Sequence, residues 1–170
     1  MSGLIFRMLV AIRGSIPFLI GILFACFTFA QYGTSAFSLV VPPLTLPVIY
    51  YWTLRHPDLM PAWAALLIGL WQDILVGGPL GLMALLLVLM RAAVDSQRSI
   101  LLPQSGLIRW FGYALISFGL VALGWVVAGL WSGTVYGPLP FLGHWALGVV
   151  LYGVFAFLFG QIDRFLFERA

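Results

Sequence analysis

Two long stretches of the sequence carry no charge, one between Arg13 and Arg55 and the other between Arg109 and Asp163. Charged residues make up 8% of the chain and hydrophobic residues 63%, whereas roughly 25% of a soluble domain is charged. The mean hydropathy is +1.11. So few charges cannot cover a surface that faces water, and such high hydrophobicity excludes intrinsic disorder. We therefore expect the chain to have a lipid bilayer as its solvent.

Each charge-free stretch is longer than one membrane-crossing helix, which needs about 20 residues, so each should hold two helices. Gly, Ser, Thr or Pro interrupt the first at 31–35 and the last at 132–140. A third apolar stretch is divided at Gly77-Gly78-Pro79, and its short halves form a tight hairpin, with tilted or partly re-entrant helices as alternatives. The sequence predicts an all-α polytopic membrane protein with six transmembrane helices in a single integral membrane domain, 1–170. The predicted spans are about 14–32, 37–54, 61–77, 79–94, 107–131 and 143–162.

The positions of the arginines predict the topology. All eight basic residues are Arg, and six spans place them on one side of the membrane, while the three opposite loops carry no charge. Positive residues stay in the cytoplasm during insertion, so both termini are expected there. Five spans would leave some of these arginines outside. They are Arg7, Arg13, Arg55, Arg91, Arg98, Arg109, Arg164 and Arg169.

Several other classes of protein are disfavoured. The arginines are too few and too scattered to follow a nucleic-acid backbone. His56 and His144 are expected on opposite sides of the membrane, where they cannot share a metal ion, and the single Cys26 excludes an internal disulfide. The sequence has no nucleophile elbow and no phosphate-binding loop. We expect no nucleic-acid partner, no cofactor and no enzymatic activity.

Asp73 is a charge within a predicted span. Gly69 and Ala62 lie on nearly the same helix face, so the carboxylate should point into protein. Three interpretations are open. The carboxylate accepts hydrogen bonds from backbone N–H groups at the start of the fourth span, after Gly77-Gly78-Pro79; or it pairs with a residue of a partner protein; or it belongs to a proton or ion relay. The first is favoured, because Pro79 suits a first helical turn and relays use several ionisable groups.

The second span and the turn after it are unusual. Pro42, Pro43 and Pro47 interrupt its outer half, so a broken helix that lines a cavity or meets a partner is expected. Pro57 should end the helix at the inner turn, and Asp58 is expected to cap the next helix. Two interpretations of the turn at residues 55–58 are open. It either sets the membrane topology and caps the next helix, or it forms a contact site for a cytoplasmic partner.

Small residues spaced seven apart give three of the spans one small face each. In lipid, such faces let helix backbones approach closely, either inside the bundle or against a partner helix. The longest inner loop is expected over 91–107 and is an alternative contact surface. The small faces comprise Gly14, Gly21 and Thr28; Gly112, Gly119 and Ala122; and Ala146, Gly153 and Gly160.

Two segments resemble the MreD family of rod shape-determining membrane proteins. Residues 47–57 read PVIYYWTLRHP, and residues 69–81 read GLWQDILVGGPLG. The family shows a turn of Tyr or Trp with Arg-x-Pro, then G-x-x-x-D, then a small residue followed by Pro-Leu-Gly. The resemblance is clearest over 47–90, and His56 and Gln72 depart from the residues usual in the family. The matching residues are Arg55, Pro57, Gly69, Asp73, Pro79 and Gly81.

The resemblance implies a function that composition does not show. MreD-like proteins are non-enzymatic inner-membrane members of the bacterial rod, or elongation, complex. They bind MreC, a bitopic protein, associate indirectly with MreB filaments and the RodA–penicillin-binding protein synthase, and support lateral peptidoglycan synthesis. Their fold is similar to the substrate-binding component of energy-coupling factor transporters. A vitamin-binding subunit of such a transporter is therefore the alternative.

The hypothesis for the site is that the hairpin around Asp73 shapes an outer-leaflet surface for an MreC-like partner. The outer loops have no charge and few Tyr, Ser and Thr hydroxyls, which disfavours a pocket for a polar vitamin. The candidate partner-interaction or structural residues are Arg55, Pro57, Gly69, Asp73, Gly77, Gly78, Pro79 and Gly81.

Overall fold

The computed structural model describes residues 15–28, 44–77, 79–133 and 137–165, and within these ranges every regular element is a helix. The expected all-α class is confirmed for this part of the chain. The α-helices are numbered in chain order, and a short 3-10 helix joins the second to the third. They are α1 (Ser15–Thr28), α2 (Thr45–Arg55), the 3-10 helix (Pro57–Leu59), α3 (Ala62–Val76), α4 (Leu82–Leu101), α5 (Gly106–Ser132) and α6 (Pro138–Asp163).

Two of the described helices are long and apolar enough to cross a membrane, α5 over its whole length and α6 over Phe141–Asp163. The apolar helices α1 and α3 are shorter. With 15 residues, α3 extends about 22 Å, less than a hydrocarbon core of about 30 Å. The helices fit a membrane protein, and six complete crossings stay a prediction.

The fourth helix is longer than its predicted span. It continues to Leu101, so the inner loop expected over 91–107 is wrong and shrinks to a short connection. No Gly or Pro occurs between Leu82 and Pro103 to end the helix. Arg91 also pairs with Asp95, one turn later in α4, at 3.5 Å. The helix therefore continues beyond its apolar part, because polar residues do not end a helix unless Gly or Pro interrupts it.

Prolines lie in the first turns of two helices. α2 begins at Thr45, later than predicted, and Pro47 lies in its first turn. α6 begins at Pro138, earlier than predicted. Proline is tolerated at these positions because the first N–H groups of a helix have no intrahelical acceptor. The predicted break at Pro42-Pro43 lies outside the described residues.

The second helix is the buried centre of the fold. All residues of Thr45–Leu54 are buried. The Tyr50 ring packs edge-on against Tyr113 of α5 and Tyr152 of α6, with centroids 5.3 and 5.4 Å apart. On other sides α2 contacts α4, which also packs along α3. Because α2 is enclosed, protein groups must satisfy the polar groups at its ends.

The predicted small-residue faces pack inside the bundle at some positions only. A Cβ added at Gly21 of α1 would lie 2.5 Å from Ile68 Cδ1 of α3, and one added at Gly112 of α5 would meet α4. Nothing lies within 4 Å of an added Cβ at Gly119 or Gly153. Close packing inside the bundle therefore explains why Gly21 and Gly112 are glycines, but it does not explain Gly119 and Gly153.

Candidate functional site

The tip of the α3–α4 hairpin is organised around the carboxylate of Asp73. Its Oδ2 accepts hydrogen bonds from the N–H groups of Gly81 (2.9 Å) and Ala84 (3.3 Å), and its Oδ1 accepts one from Met83 (3.0 Å). These N–H groups lie at the start of α4, where intrahelical acceptors are missing. Asp73 is 3% exposed, so backbone donors and the positive helix end replace water around the carboxylate. These are the contacts that the first interpretation of Asp73 predicts, and pairing with a partner or membership of a relay stay as alternatives.

Gly69 allows the close approach of helices that this contact needs. A Cβ added there would lie 2.5 Å from the backbone nitrogen of Ala84 and closer still to its Cα. Gly69 is one turn before Asp73, on the same face of α3. The missing side chain thus sets the distance over which the Asp73 carboxylate reaches α4.

Two glycines with positive φ shape the turn between the helices. Gly77 ends α3 with φ +71° and donates its N–H to the Asp73 carbonyl at 3.0 Å, and Gly81 precedes α4 with φ +94°. Both conformations favour glycine, because a Cβ would crowd the backbone. Pro79 is half-buried between them, and Gly78 lies outside the described residues. The residues predicted around Asp73 are therefore brought together, as far as the structure describes them.

Gln72 joins the same hairpin to the central helix. The Thr45 hydroxyl donates a hydrogen bond to Gln72 Oε1 at 2.9 Å, and both side chains are buried. Neighbouring residues of α3 thus bind the start of α2 and the start of α4. Gln72 is not among the candidate site residues predicted from the sequence, although an amide next to Asp73 in an otherwise apolar helix was an available signal.

The Arg55 turn lies at the opposite end of the bundle and meets Asp163 at the end of α6. Asp163 Oδ2 pairs with Arg55 Nη1 at 3.3 Å, and its Oδ1 accepts a hydrogen bond from His56 Nε2 at 2.7 Å. The proton is assigned to Nε2, because a carboxylate has none to donate. The Asp163 side chain is 6% exposed and that of Arg55 38%. The sequence placed both on one side of the membrane, but it carries no signal for the pairing.

Pro57 begins the 3-10 helix that leads from α2 into α3. The expected cap at Asp58 is wrong, since Pro61 precedes α3 and no side chain caps its start. Asp58 lies inside the 3-10 helix, and Pro61 takes the position before α3. The turn geometry therefore comes from the proline-started 3-10 helix and not from a capping carboxylate.

Two arginines of α4 bind backbone carbonyls at this end. Arg98 Nε donates to the Leu54 carbonyl and Arg91 Nε to the Met60 carbonyl, both at 3.0 Å. The last carbonyls of a helix such as α2 have no intrahelical donors. Arginines that the sequence marks as topology signals therefore also hold the α2–α3 turn against α4.

We expect Asp163→Asn to destabilise the protein more than Arg55→Gln. Asp163 is buried and binds two partners, so Asp163→Asn should lower the free energy of unfolding by about 2–3 kcal/mol. Arg55 is partly exposed, so Arg55→Gln should lower it by about 1 kcal/mol. Chemical unfolding in detergent micelles, followed by tryptophan fluorescence, measures both. A double-mutant cycle should give a coupling energy of about 1 kcal/mol or more.

The Arg91–Asp95 pair is the control for that cycle. Its Asp95 side chain is 46% exposed, so the coupling energy should stay below about 1 kcal/mol. Equal losses for Asp163→Asn and Arg55→Gln would show that Asp163 does not hold two partners.

Among the described residues, no three His, Cys, Asp or Glu side chains lie together as a metal site would require.

Comparison with models of known protein families identifies the family of the chain. A search of the curated proteins and a search of the solved structures gave no match, so the similarity to energy-coupling factor components stays a prediction. The model of a protein family described as rod shape-determining protein MreD matches residues 5–161 of the 170. This match includes the Asp73 hairpin and the Arg55 turn, and the chain therefore belongs to the MreD family.

Proposed function

We propose that this chain is a non-enzymatic component of the rod complex in the bacterial inner membrane, where it binds an MreC-like bitopic protein and supports lateral peptidoglycan synthesis. Its family implies a rod shape-determining function. Association with MreB filaments and with the RodA–penicillin-binding protein synthase is indirect in this proposal. The observation that carries it is the set of three backbone hydrogen bonds that joins Asp73 to the start of α4, and in this proposal the tip of that hairpin meets the partner.

The distribution of arginines supports six membrane crossings with both termini in the cytoplasm. In the described helices the arginines lie toward the end opposite the α3–α4 tip. By the positive-inside rule, that end faces the cytoplasm and the hairpin tip faces outward. The described arginines are Arg55, Arg91, Arg98, Arg109 and Arg164.

The hydrogen bonding beside the tip, and not the apolar character of the tip, favours recognition. Leu80 is 76% exposed and Ile74 64%, but exposed apolar side chains are ordinary on a protein that faces lipid. The three hydrogen bonds to Asp73 hold the backbone directly after Leu80, at Gly81, Met83 and Ala84. A preorganised surface loses less conformational entropy when a partner binds. This favours the α3–α4 tip as the docking site of the bitopic partner.

We expect a photo-crosslinking amino acid at Leu80 to capture the MreC-like partner in cells. Leu80 lies at the tip and is not packed, so the substitution should leave the fold intact. The matched control is Leu139 at the start of α6, which is 81% exposed and belongs to the same end of the bundle. Immunoblotting should show a crosslinked band for position 80 and a much weaker one for position 139. The reverse pattern would move the docking site to α6 and overturn the proposal.

Affinity purification in mild detergent with mass spectrometry separates this function from the vitamin-binding alternative. Recovery of an MreC-like protein supports the rod complex, and recovery of ATPase subunits reverses the assignment.

A further inference from the structure

A cleft at the arginine-rich end of the bundle has the composition of a phosphate site. It lies between the end of α2, the start of α5 and the last turns of α6, and its volume is about 550 Å³. Small-ligand sites range from about 300 to 1,000 Å³. Arg55, Arg109 and Arg164 line it, and none of its described lining residues is acidic.

The arginines of the cleft are not neutralised by the described carboxylates. Arg55 pairs with Asp163 at 3.3 Å, whereas no described carboxylate forms an ion pair with Arg109 or Arg164. Three guanidinium groups against one carboxylate leave an excess of positive charge. The first turn of α5, from Gly106, borders the cleft and adds N–H groups without intrahelical acceptors and the positive helix end. Both features favour an anion.

A buried hydroxyl also lines the cleft. Tyr51 of α2 is 6% exposed and belongs to the cleft wall. Its hydroxyl lies beside the Asp163 carboxylate, which is a described acceptor for it, although the pair falls outside strict hydrogen-bond geometry. A phosphate oxygen held by the arginines would be a second acceptor for this hydroxyl.

The cleft continues from its charged end along an apolar wall. One face of α6 forms this wall, with Gly153, Ala156, Phe157 and Gly160 ahead of Arg164. From Gly153 to Arg164 the face extends about 16 Å. Nothing lies within 4 Å of a Cβ added at Gly153, whereas one added at Gly160 would contact the Tyr51 hydroxyl at 3.7 Å, so the wall is open at its end away from Arg164. A charged end joined to an apolar groove matches an amphiphile better than a free phosphate.

We propose that this cleft binds the phosphate headgroup of an anionic phospholipid. Arg109 and Arg164 pair with the phosphate, and the groove along Gly153 and Gly160 receives an acyl chain. Basic pockets between transmembrane helices on the cytoplasmic side bind such headgroups. The cleft and the hairpin lie at opposite ends of the bundle, so lipid binding does not depend on the proposed partner.

The test is a titration of the full-length protein in zwitterionic detergent, followed by native mass spectrometry. The probes are phosphatidylglycerol, phosphatidylcholine with the same acyl chains, and inorganic phosphate. Phosphatidylglycerol should bind about tenfold more tightly than phosphatidylcholine, and the double variant Arg109→Gln/Arg164→Gln should lose this preference. The control Arg91→Gln removes a positive charge outside the cleft and should retain it. Unchanged preference in the double variant would overturn the site.

A second variant separates a lipid from a free phosphate and does not depend on the arginines. Gly153→Leu fills the groove at an open position, so it should weaken phosphatidylglycerol binding severalfold without loss of folding. Phosphatidylglycerol binding unaffected by Gly153→Leu, together with efficient competition by inorganic phosphate, would assign the cleft to a free phosphate and overturn the lipid proposal. Because this position is not packed, Gly153→Leu decides the question even where the double arginine variant fails to fold.

Discussion

Replacing Gly69 with alanine should lower the free energy of unfolding by about 2–3 kcal/mol. The added methyl group would overlap the backbone of Ala84, and a backbone cannot swing aside as a flexible side chain can. α3 and α4 must separate, which also draws the Asp73 carboxylate away from the N–H groups it binds. The gain in helix propensity from glycine to alanine, about 1 kcal/mol, only partly offsets this loss.

Gly119→Ala is the matched control, because Gly119 is also helical and nothing lies within 4 Å of an added Cβ there. Only the gain in helix propensity remains, so this variant should be neutral or up to about 1 kcal/mol more stable. Denaturant unfolding of both variants in the same micelles gives the comparison. If the two substitutions stabilise the protein equally, the close approach at Gly69 does not exist.

The sequence could predict where helices occur better than where they end. Charge-free stretches and Gly-Pro interruptions located helices because the bilayer and the backbone both require them. The end of α4 was placed near 94 because apolar residues become sparse there. A helix ends where hydrogen bonding is broken, and in α4 that happens only near Pro103. Hydropathy marks the boundary of the lipid, not the end of the helix.

The candidate site was predictable where its contacts are local. Asp73 could be assigned because an intramembrane charge needs a protein partner, and the following turn brings a helix start within a few residues. The contact between Arg55 and Asp163 joins distant parts of the chain, as does that between Thr45 and Gln72. Such pairings depend on how α2 packs against α3 and α6, and no pattern in a single sequence encodes it.

Asp73→Ala should have the largest effect of any substitution considered, a loss of about 3–5 kcal/mol in the free energy of unfolding. It leaves three N–H donors at the start of α4 without an acceptor in a buried site. Asp73→Asn retains one acceptor oxygen but turns an NH₂ group toward the other donors, so roughly 1–3 kcal/mol should be lost. Asp95→Ala, on the exposed pair with Arg91, is the control and should cost under about 1 kcal/mol.

The same variants separate the three interpretations of Asp73 when stability, partner recovery and cell shape are measured together. If the carboxylate fixes the hairpin, the free energy of unfolding and the recovery of the MreC-like protein should rank in the same order. Both should be lowest for Asp73→Ala, intermediate for Asp73→Asn and highest for the wild type. A carboxylate that pairs with the partner requires both variants to lose recovery at unchanged stability. A relay requires both to lose rod-shape complementation while stability and recovery persist. The three backbone donors around Asp73 favour the first pattern, because a carboxylate already bonded through both oxygens has little capacity left for a partner or a proton path.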